Sequence, residues 1–431
     1  MVLKIWFWCG GRSKMELAEG FSHPVITILR RSGVLRAATQ TSLELNETDC
    51  GDELQRKWLL WVEKESWVRL VHAMFSHDAE ASMTLLINPS LSYTEMKLTL
   101  PSEDGLWGAK TAEKWKLQML SHESDRHRSL SMTACLRSIF NSGTLRGGDL
   151  APSTLMFTLY GLWGLIWEYR QAHHMLRVGD LFCGLDGLTL TSRFDALAKA
   201  LDVLRRAVEI LISKDGSHYS AQSLAELNTV LEFNAMALCA PLRTLPAFAG
   251  KYGETEAQRL YPVVEDWVQS REARQAIWHA GQVYKWAKDL ECQHMRDFQS
   301  VAVYHASLVF WVYGIIMSYR NEQESVSLDQ PTQCLGRAIL LDGAMSLDNN
   351  NFIANGLGIP AIEDVASRLE SPTALVPLYN PSRTMKVGLG ILRKGASQCG
   401  SLSEGGTPTF VVALVQLMNA LGNAADTIGL G

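Results

Sequence analysis

Few side chains in this sequence of 431 residues stand at the spacings that chemistry requires. The nearest approach to a metal site is His122-Glu123 through His127. Two histidines reach one zinc ion from one helical face when they lie four residues apart, and these lie five apart. The segment therefore reads as a solvated polar loop. His173-His174 and Cys292-x-His294 each offer at most two ligands, with no second pair nearby in sequence. Gly388-x-Gly390 lacks the third glycine and the preceding strand of a dinucleotide-binding turn, and there is no P-loop run for phosphate. No GxSxG elbow is present, and no cysteine–histidine pair stands out as a nucleophile and its base. Asp348-Asn349-Asn350-Asn351 only poorly imitates an aspartate-rich helix that holds magnesium against a diphosphate. No catalytic, cofactor-binding or metal-ligating residue is assigned, and the chain is read as not an enzyme.

The charges expected to be buried are Glu65, Arg69 and Asp78. Glu65 falls on an apolar stripe, and Arg69 follows four residues on, the favoured order for an ion pair on a helix. Glu65 and Arg69 are read as a structural ion pair that fixes helix register. The alternative, a ligand or partner contact, stays open. Losing one partner of such a buried pair typically costs around 3–5 kcal/mol, which by itself accounts for the residue types.

The element that must position this pair is a long helix. Leu54, Trp58, Trp61, Val68, Phe75 and Ala79 recur at helical spacing, and a second stripe of Leu60, Trp67, Val71 and Met74 widens the face expected to be buried. The helix should end before Asn88-Pro89, since the residue before proline is pushed out of the helical region. Ser92-x-x-Glu95 then has the form of a capping box, with Leu91 and Met96 as its hydrophobic staple, opening a short helix that Leu100-Pro101 stops. Leu106-Trp107 opens another, with Trp107, Trp115 and Met119 on one face.

Along the rest of the chain, residues 1–14 read as an irregular N-terminus and 15–36 as a helix ending near Gly33. A polar loop is expected at 37–52 and a short helix near Cys135 to Phe140. Helical periodicity returns over 153–177, 194–213, 221–239, 255–290 and 301–319, with a polar loop at 320–331. From Asp342 on, Gly, Asn, Ser and Pro accumulate, so loops are expected around helices near 360–369, 381–394 and 408–423. No extended alternating run and no internal repeat is visible. The fold class is all-α: a large multi-helix domain over 15–345 and a loop-rich extension with short helices over 346–431.

Composition narrows the class further. Apolar residues make up 47% and charged residues 20% of the chain, ordinary values for a folded protein. A formal net charge of −5, without a basic stripe, argues against direct nucleic-acid binding by this chain. The eight cysteines form neither a CxxC pair nor a cluster, which suits buried thiols in a reducing compartment. The apolar windows at 155–169 and 301–319 read as core helices, and no membrane partner is expected. The thirteen tryptophans belong mostly to the core, with a pocket between bundled helices as the default place for a small-molecule effector.

Read in order, these pieces resemble a known family. Trp58-x-x-Trp61-x-x-x-Glu65-Ser66-x-x-Arg69-Leu70, then Asp78, Pro89-x-Leu91-x-x-x-Glu95-Met96, Leu100-Pro101 and Leu106-Trp107-x-Ala109 are similar to the fungal-specific transcription factor domain. This domain, also called the middle homology region, is the helical regulatory part of fungal zinc-finger transcription factors. Ala240-Pro241-Leu242-Arg243, Ala273-Arg274-Gln275-Ala276, His279-Ala280-Gly281-Gln282 and Trp311-Val312-Tyr313-Gly314 continue the resemblance. Leu417-Met418-x-x-Leu421-Gly422-Asn423-Ala424 is similar to the tail of members that carry two-Cys two-His fingers. Ser102 departs from the pattern, which usually has cysteine after the proline.

The resemblance implies a nuclear regulator of RNA polymerase II genes. It would touch DNA through a zinc-finger module not contained here, and it would engage transcriptional machinery or co-regulators. Zinc is expected in that module, and no cofactor in this chain. The other readings are an all-α ligand-binding protein or enzyme without a readable motif, and a helical interaction scaffold.

Overall fold

The computed structural model describes residues 2–35, 45–121, 130–145, 151–178, 187–213, 219–291, 295, 297–327, 337–364, 375–397 and 408–427. Among them the fold is all-α apart from one small sheet. In chain order the helices are α1 (Val2–Cys9), α2 (Arg12–Ser32), α3 (Gly51–Leu85), α4 (Asp104–Trp107), α5 (Ala112–Ser121), α6 (Met132–Ser142), α7 (Pro152–Val178) and α8 (Gly187–Ser213). They continue as α9 (Ala221–Cys239), α10 (Thr244–Pro246), α11 (Glu254–Gln269), α12 (Arg271–Asp289), α13 (Phe298–Ser327), α14 (Leu347–Asn355), α15 (Pro381–Ser397) and α16 (Thr409–Thr427). Strands β1 (Ala338–Leu340), β2 (Ile359–Glu363) and β3 (Leu375–Pro377) make a sheet in which β1 runs parallel and β3 antiparallel to β2.

The chain divides into two compact units, one of Glu19–Gln171 with Leu185–Ser217, the other of Met1–Ala18, Ala172–Gly184 and His218–Gly431.

In the first unit α3 packs along α7 through a ladder of polar contacts. Tyr160, Trp163, Trp167 and Gln171 step by three and four residues and so share one face of α7. Tyr160 donates to Glu80 and the Trp163 indole to the Ser82 hydroxyl, both at 2.8 Å, while Trp167 and Gln171 donate to the Asn88 side-chain oxygen. Helix α3 ends where expected, on Leu86 in the left-handed conformation (φ 55°), three residues before Pro89. Its buried face differs from the expected one. Val71 and Met74 are buried, but Leu60 and Trp67 are 39% and 44% exposed, because the N-terminal half of α3 is covered on one side only.

Two local expectations fail here for identifiable reasons. The Ser92–Glu95 segment is a turn rather than a capped helix. Glu95 does reach back to the Ser92 N–H, but its carboxylate is also gripped by Arg30, and the chain then bridges from Thr99 to Ser131. Trp107 and Trp115 lie on separate helices, because α4 closes at Gly108, whose N–H returns to the Asp104 carbonyl.

In the second unit α9 is the central helix. Every residue from Leu227 to Ala240 is buried, as expected of a helix surrounded by others. Its amides and hydroxyl turn back onto its own backbone: Asn228 to the Leu224 carbonyl, Thr229 to Ala225 and Asn234 to Val230. Helices α12 and α13 pack on it. One helical stretch among the described residues, Phe298–Arg320, is long and apolar enough to cross a membrane, and 83% of its most apolar window is buried inside the protein.

Several sequence expectations are corrected in this unit. Residues 2–9 are helical, not irregular, because Phe7 and Trp8 are buried and Trp8 packs edge-on against Phe410 of α16. The stretch 255–290 is two helices, broken at Ser270, whose side chain caps the second by accepting from the Ala273 N–H. Helix α13 continues through Ser327 where a loop was expected. Where a helix over 360–369 was expected, residues 360–363 belong to strand β2, held by β1 on one side and β3 on the other, and 365–369 lie outside the described residues. The helices expected near 381–394 and 408–423 are present as α15 of 17 residues and α16 of 19, and both pack against α13.

Candidate functional site

Glu65 is 6% exposed, and both of its carboxylate oxygens are engaged. Oε1 accepts from Arg69 Nε at 3.0 Å and from the Ser102 N–H at 2.8 Å, while Oε2 accepts from the Ser102 hydroxyl at 3.1 Å. Arg69 also donates to the Ser102 carbonyl at 2.6 Å and to Asp104 at 2.9 Å, and its guanidinium lies 5.0 Å over the Trp107 ring. Trp107 packs on Trp61, which packs on Trp115 over a core of Leu54, Ala109 and Ala112. The cluster fastens the chain around residue 102 to α3, and Ser102 contributes a hydroxyl at the position where the resembling family usually has a thiol. No reacting group is presented.

Two further carboxylates hold the turn that follows α3. Asp78 accepts from the Leu91 N–H at 2.8 Å; burial pushes its carboxyl up, opposed by that N–H and by Ser90. Glu95 sits in a two-pronged pair with Arg30 at 2.6 and 2.8 Å, which holds its carboxyl below the ordinary value. Arg30 reaches on to the Ser90 carbonyl at 2.5 Å. The turn is thereby fixed at both ends, and Tyr93 projects from its middle.

Tyr93 lines a cleft of about 560 Å³ together with Thr94 and Lys97 of the same segment, α6, α8 and Leu165 of α7. Two glycines in the interior of α7 shape it. A Cβ on Gly164 would collide with the Tyr93 ring, and one on Gly161 would collide with Met132 and crowd Leu136 of α6. The floor is apolar, made by Leu136, Leu165 and Leu197. On one wall the charges are matched: Arg193 pairs with Glu168 at 2.7 Å, and Tyr93 bonds to the same carboxylate. Burial, with Glu168 behind it, pushes the Tyr93 phenol up. The side chains of the cleft's other two cations, Lys97 and Arg137, meet no charged or hydrogen-bonding partner among the described residues.

Four polar side chains of α12 help to build the second unit. Arg274 donates to the Ile353 and Ala354 carbonyls at the end of α14. His279 bonds to buried Glu232 at 2.7 Å, and Gln282 holds the carbonyls of Leu341 and Gly343. Lys288 pairs with Asp342, whose side chain is fully buried; burial pushes that carboxyl up, opposed first by the lysine. Gly281 lies so close to the Leu341 carbonyl that no Cβ would fit.

Of the other sequence candidates, His122, Glu123, His127, Cys292 and His294 lie outside the described residues. His173 and His174 lie on α7, and Asp348-Asn349-Asn350-Asn351 opens α14, where Asn349 completes a capping box with Ser346. Among the described residues no group of three or more His, Cys, Asp or Glu is placed to hold a metal. The cleft residues Tyr93, Lys97, Arg137 and Arg193 escape sequence reading because they come from separate elements. The available signal is the glycine pair at 161 and 164 inside an otherwise helical apolar pattern.

Residues 6–202 match the profile of the fungal specific transcription factor domain. Transcription factor 1 of Elsinoe fawcettii is 25% identical over 331 residues, covering 72% of this chain and 33% of that protein. Transcription factor PfmaH of Pestalotiopsis fici is 22% identical over 345 residues, 76% of this chain and 34% of that protein. The nicotinate catabolism cluster-specific transcription factor of Emericella nidulans is 28% identical over 164 residues, 37% of this chain and 18% of that protein. The chain thus spans about a third or less of the length of these curated relatives. No solved structure matches it.

Proposed function

We propose that this chain is the regulatory part of a fungal zinc-finger transcription regulator that acts on RNA polymerase II genes in the nucleus. The observation that carries this reading is the match of residues 6–202 to the fungal specific transcription factor domain. Relatives named as transcription factors, aligned over most of the chain, support it. DNA contact falls to a zinc-finger module of the two-Cys two-His type, not contained in these 431 residues, and that module holds the zinc. The chain itself uses no cofactor and catalyses no reaction; it engages co-regulators or the transcriptional machinery. The net charge of −5 supports this division of labour, since a DNA-binding surface draws its affinity from neutralising phosphates.

The test is a reporter assay in a fungal host, with the chain fused to an unrelated DNA-binding domain. Transcription from the matching promoter should change at least several-fold relative to the DNA-binding domain alone. A nuclear, well-expressed fusion that leaves transcription unchanged would overturn the reading. So would sequence-selective nanomolar binding of duplex DNA by the purified chain at physiological salt.

A further inference from the structure

We infer that the cleft between α6, α8 and the Ser90–Lys97 segment binds a small amphipathic organic anion, its apolar body on Leu136, Leu165 and Leu197 and its charged head between Lys97 and Arg137. Three independent observations carry the assignment.

The first is charge. Three arginines of this unit are matched by carboxylates: Arg30 by Glu95, Arg69 by Glu65 and Asp104, and Arg193, which lines the cleft, by Glu168. Lys97 and Arg137 alone among the cleft's cations have no such partner among the described residues, in a protein whose net charge is negative. A concave, apolar-walled surface with uncompensated cations concentrates anions.

The second is construction. The cleft is not a gap left by loose packing, because its walls are set by Gly161 and Gly164. These let Leu136 and the Tyr93 ring approach α7 closely: a Cβ at 164 would stand 2.8 Å from the ring, and one at 161 would stand 3.1 Å from Leu136. Asp78 and the Arg30–Glu95 pair fix the turn that carries Tyr93. Tyr93, Glu168 and Arg193 are matched among themselves, which leaves Lys97 and Arg137 as the cations open to an anionic head.

The third is size and polarity. A volume of about 560 Å³ falls within the roughly 300–1,000 Å³ of small-molecule sites, which combine an apolar lining with a few placed polar groups. Two unmatched cations are too few to hold a nucleic-acid backbone, where affinity grows with each phosphate neutralised. An inorganic anion would leave the apolar floor uncovered. A molecule with both an apolar body and an anionic head satisfies both halves of the cleft.

The inference concerns the purified full chain and stands or falls apart from the transcriptional reading. Calorimetric titration with decanoate, decyl phosphate and the neutral decanol, each kept below micelle formation, tests it. At least one of the two anions should bind about tenfold more tightly than decanol, as expected when charge-assisted hydrogen bonds are added to the same apolar contact. Which anion binds better distinguishes a carboxylate ligand from a phosphate one. Lys97→Gln and Arg137→Gln should each weaken the anion about five- to tenfold and leave decanol unchanged. Ala196→Trp, from an exposed position on α8 that faces the cleft, should abolish binding of all three while circular dichroism shows the fold retained. Equal affinity for decanol and both anions would overturn the inference. So would anion binding that survives Ala196→Trp, or that ignores both charge substitutions.

Discussion

Helix α12 and the cleft beside α6 both carry cations and amides on partly apolar surfaces, yet they use them in opposite ways. On α12 the polar groups that face the rest of the unit are engaged. Arg274 holds the end of α14, Gln282 grips two carbonyls, and Lys288 neutralises a carboxylate with no exposure at all. In the cleft, Arg193 is matched by Glu168, but Lys97 and Arg137 point at nothing that would answer their charge among the described residues. A buried polar group without a partner costs stability, so the interior of α12 had to be satisfied internally. A cation at the mouth of an open cleft is hydrated and costs little until something displaces the water. The contrast separates charge used to build the fold from charge left available to a ligand.

The comparison is broken most severely at Lys288. Lys288→Met should leave Asp342 buried without its cation and destabilise the second unit by about 3–5 kcal/mol at neutral pH, read by urea unfolding. Burial raises the Asp342 carboxyl above its ordinary value, so its charged form is the unfavourable one in the fold. The stability tied to this group is therefore present below the unfolded-state value of about 3.9 and is lost as pH rises through the folded-state value. The loss caused by Lys288→Met should accordingly shrink as the pH is lowered from 7 toward 5. A loss that stays constant over that range would assign the effect to packing instead.

Glu65 gives the next largest effect. Glu65→Ala removes the acceptor for Arg69 and for both Ser102 donors, and should cost roughly 3 kcal/mol. Part of that stays recoverable, because Arg69 keeps Asp104, which is 95% exposed. Arg69→Ala and the double variant should show strong coupling in a mutant cycle. Near-neutral single variants that nonetheless lose reporter activity would turn this pair from a structural fastening into a contact surface.

The smallest effect is the sharpest test of the contrast. Lys97→Gln and Arg137→Gln should change stability by less than about 0.5 kcal/mol each, since neither side chain has a partner to lose. A loss above about 1 kcal/mol in either would show that the cation already serves the fold.

The parts of this architecture that were legible in the sequence are those written within one helix. The stripe through Leu54, Val68 and Phe75, the Glu65–Arg69 spacing, and the buried runs of α7, α9 and α13 each depend on residues three, four or seven apart. What was hidden depends on residues far apart. Ser102 meets Glu65 across 37 positions, and Glu95, while still reaching the Ser92 N–H, is gripped by Arg30 across 65. The strands β1 and β3 are three residues each, too short for alternation to register, and β2 forms because two partners flank it. Helix α1 follows the same logic, since burial of Phe7 and Trp8 supports a segment too short to be helical alone. The cleft was invisible because no single stretch contains two of its three walls.

The Trp311 indole donates to the Leu421 carbonyl across 110 positions, and Gly281 and Gly314 on α12 and α13 leave room for the carbonyls of Leu341 and Leu378. These contacts set an order of events during synthesis. Helices α9, α12 and α13 cover one another in part, but the face of α13 that meets α15 and α16 leaves the ribosome uncovered. Its closure waits until residue 421 has been made and has crossed a long loop, a step that is entropically slow. Until then Phe298–Arg320, the one stretch among the described residues long and apolar enough to cross a membrane, stands partly uncovered. The nascent second unit is thus a natural client for chaperones.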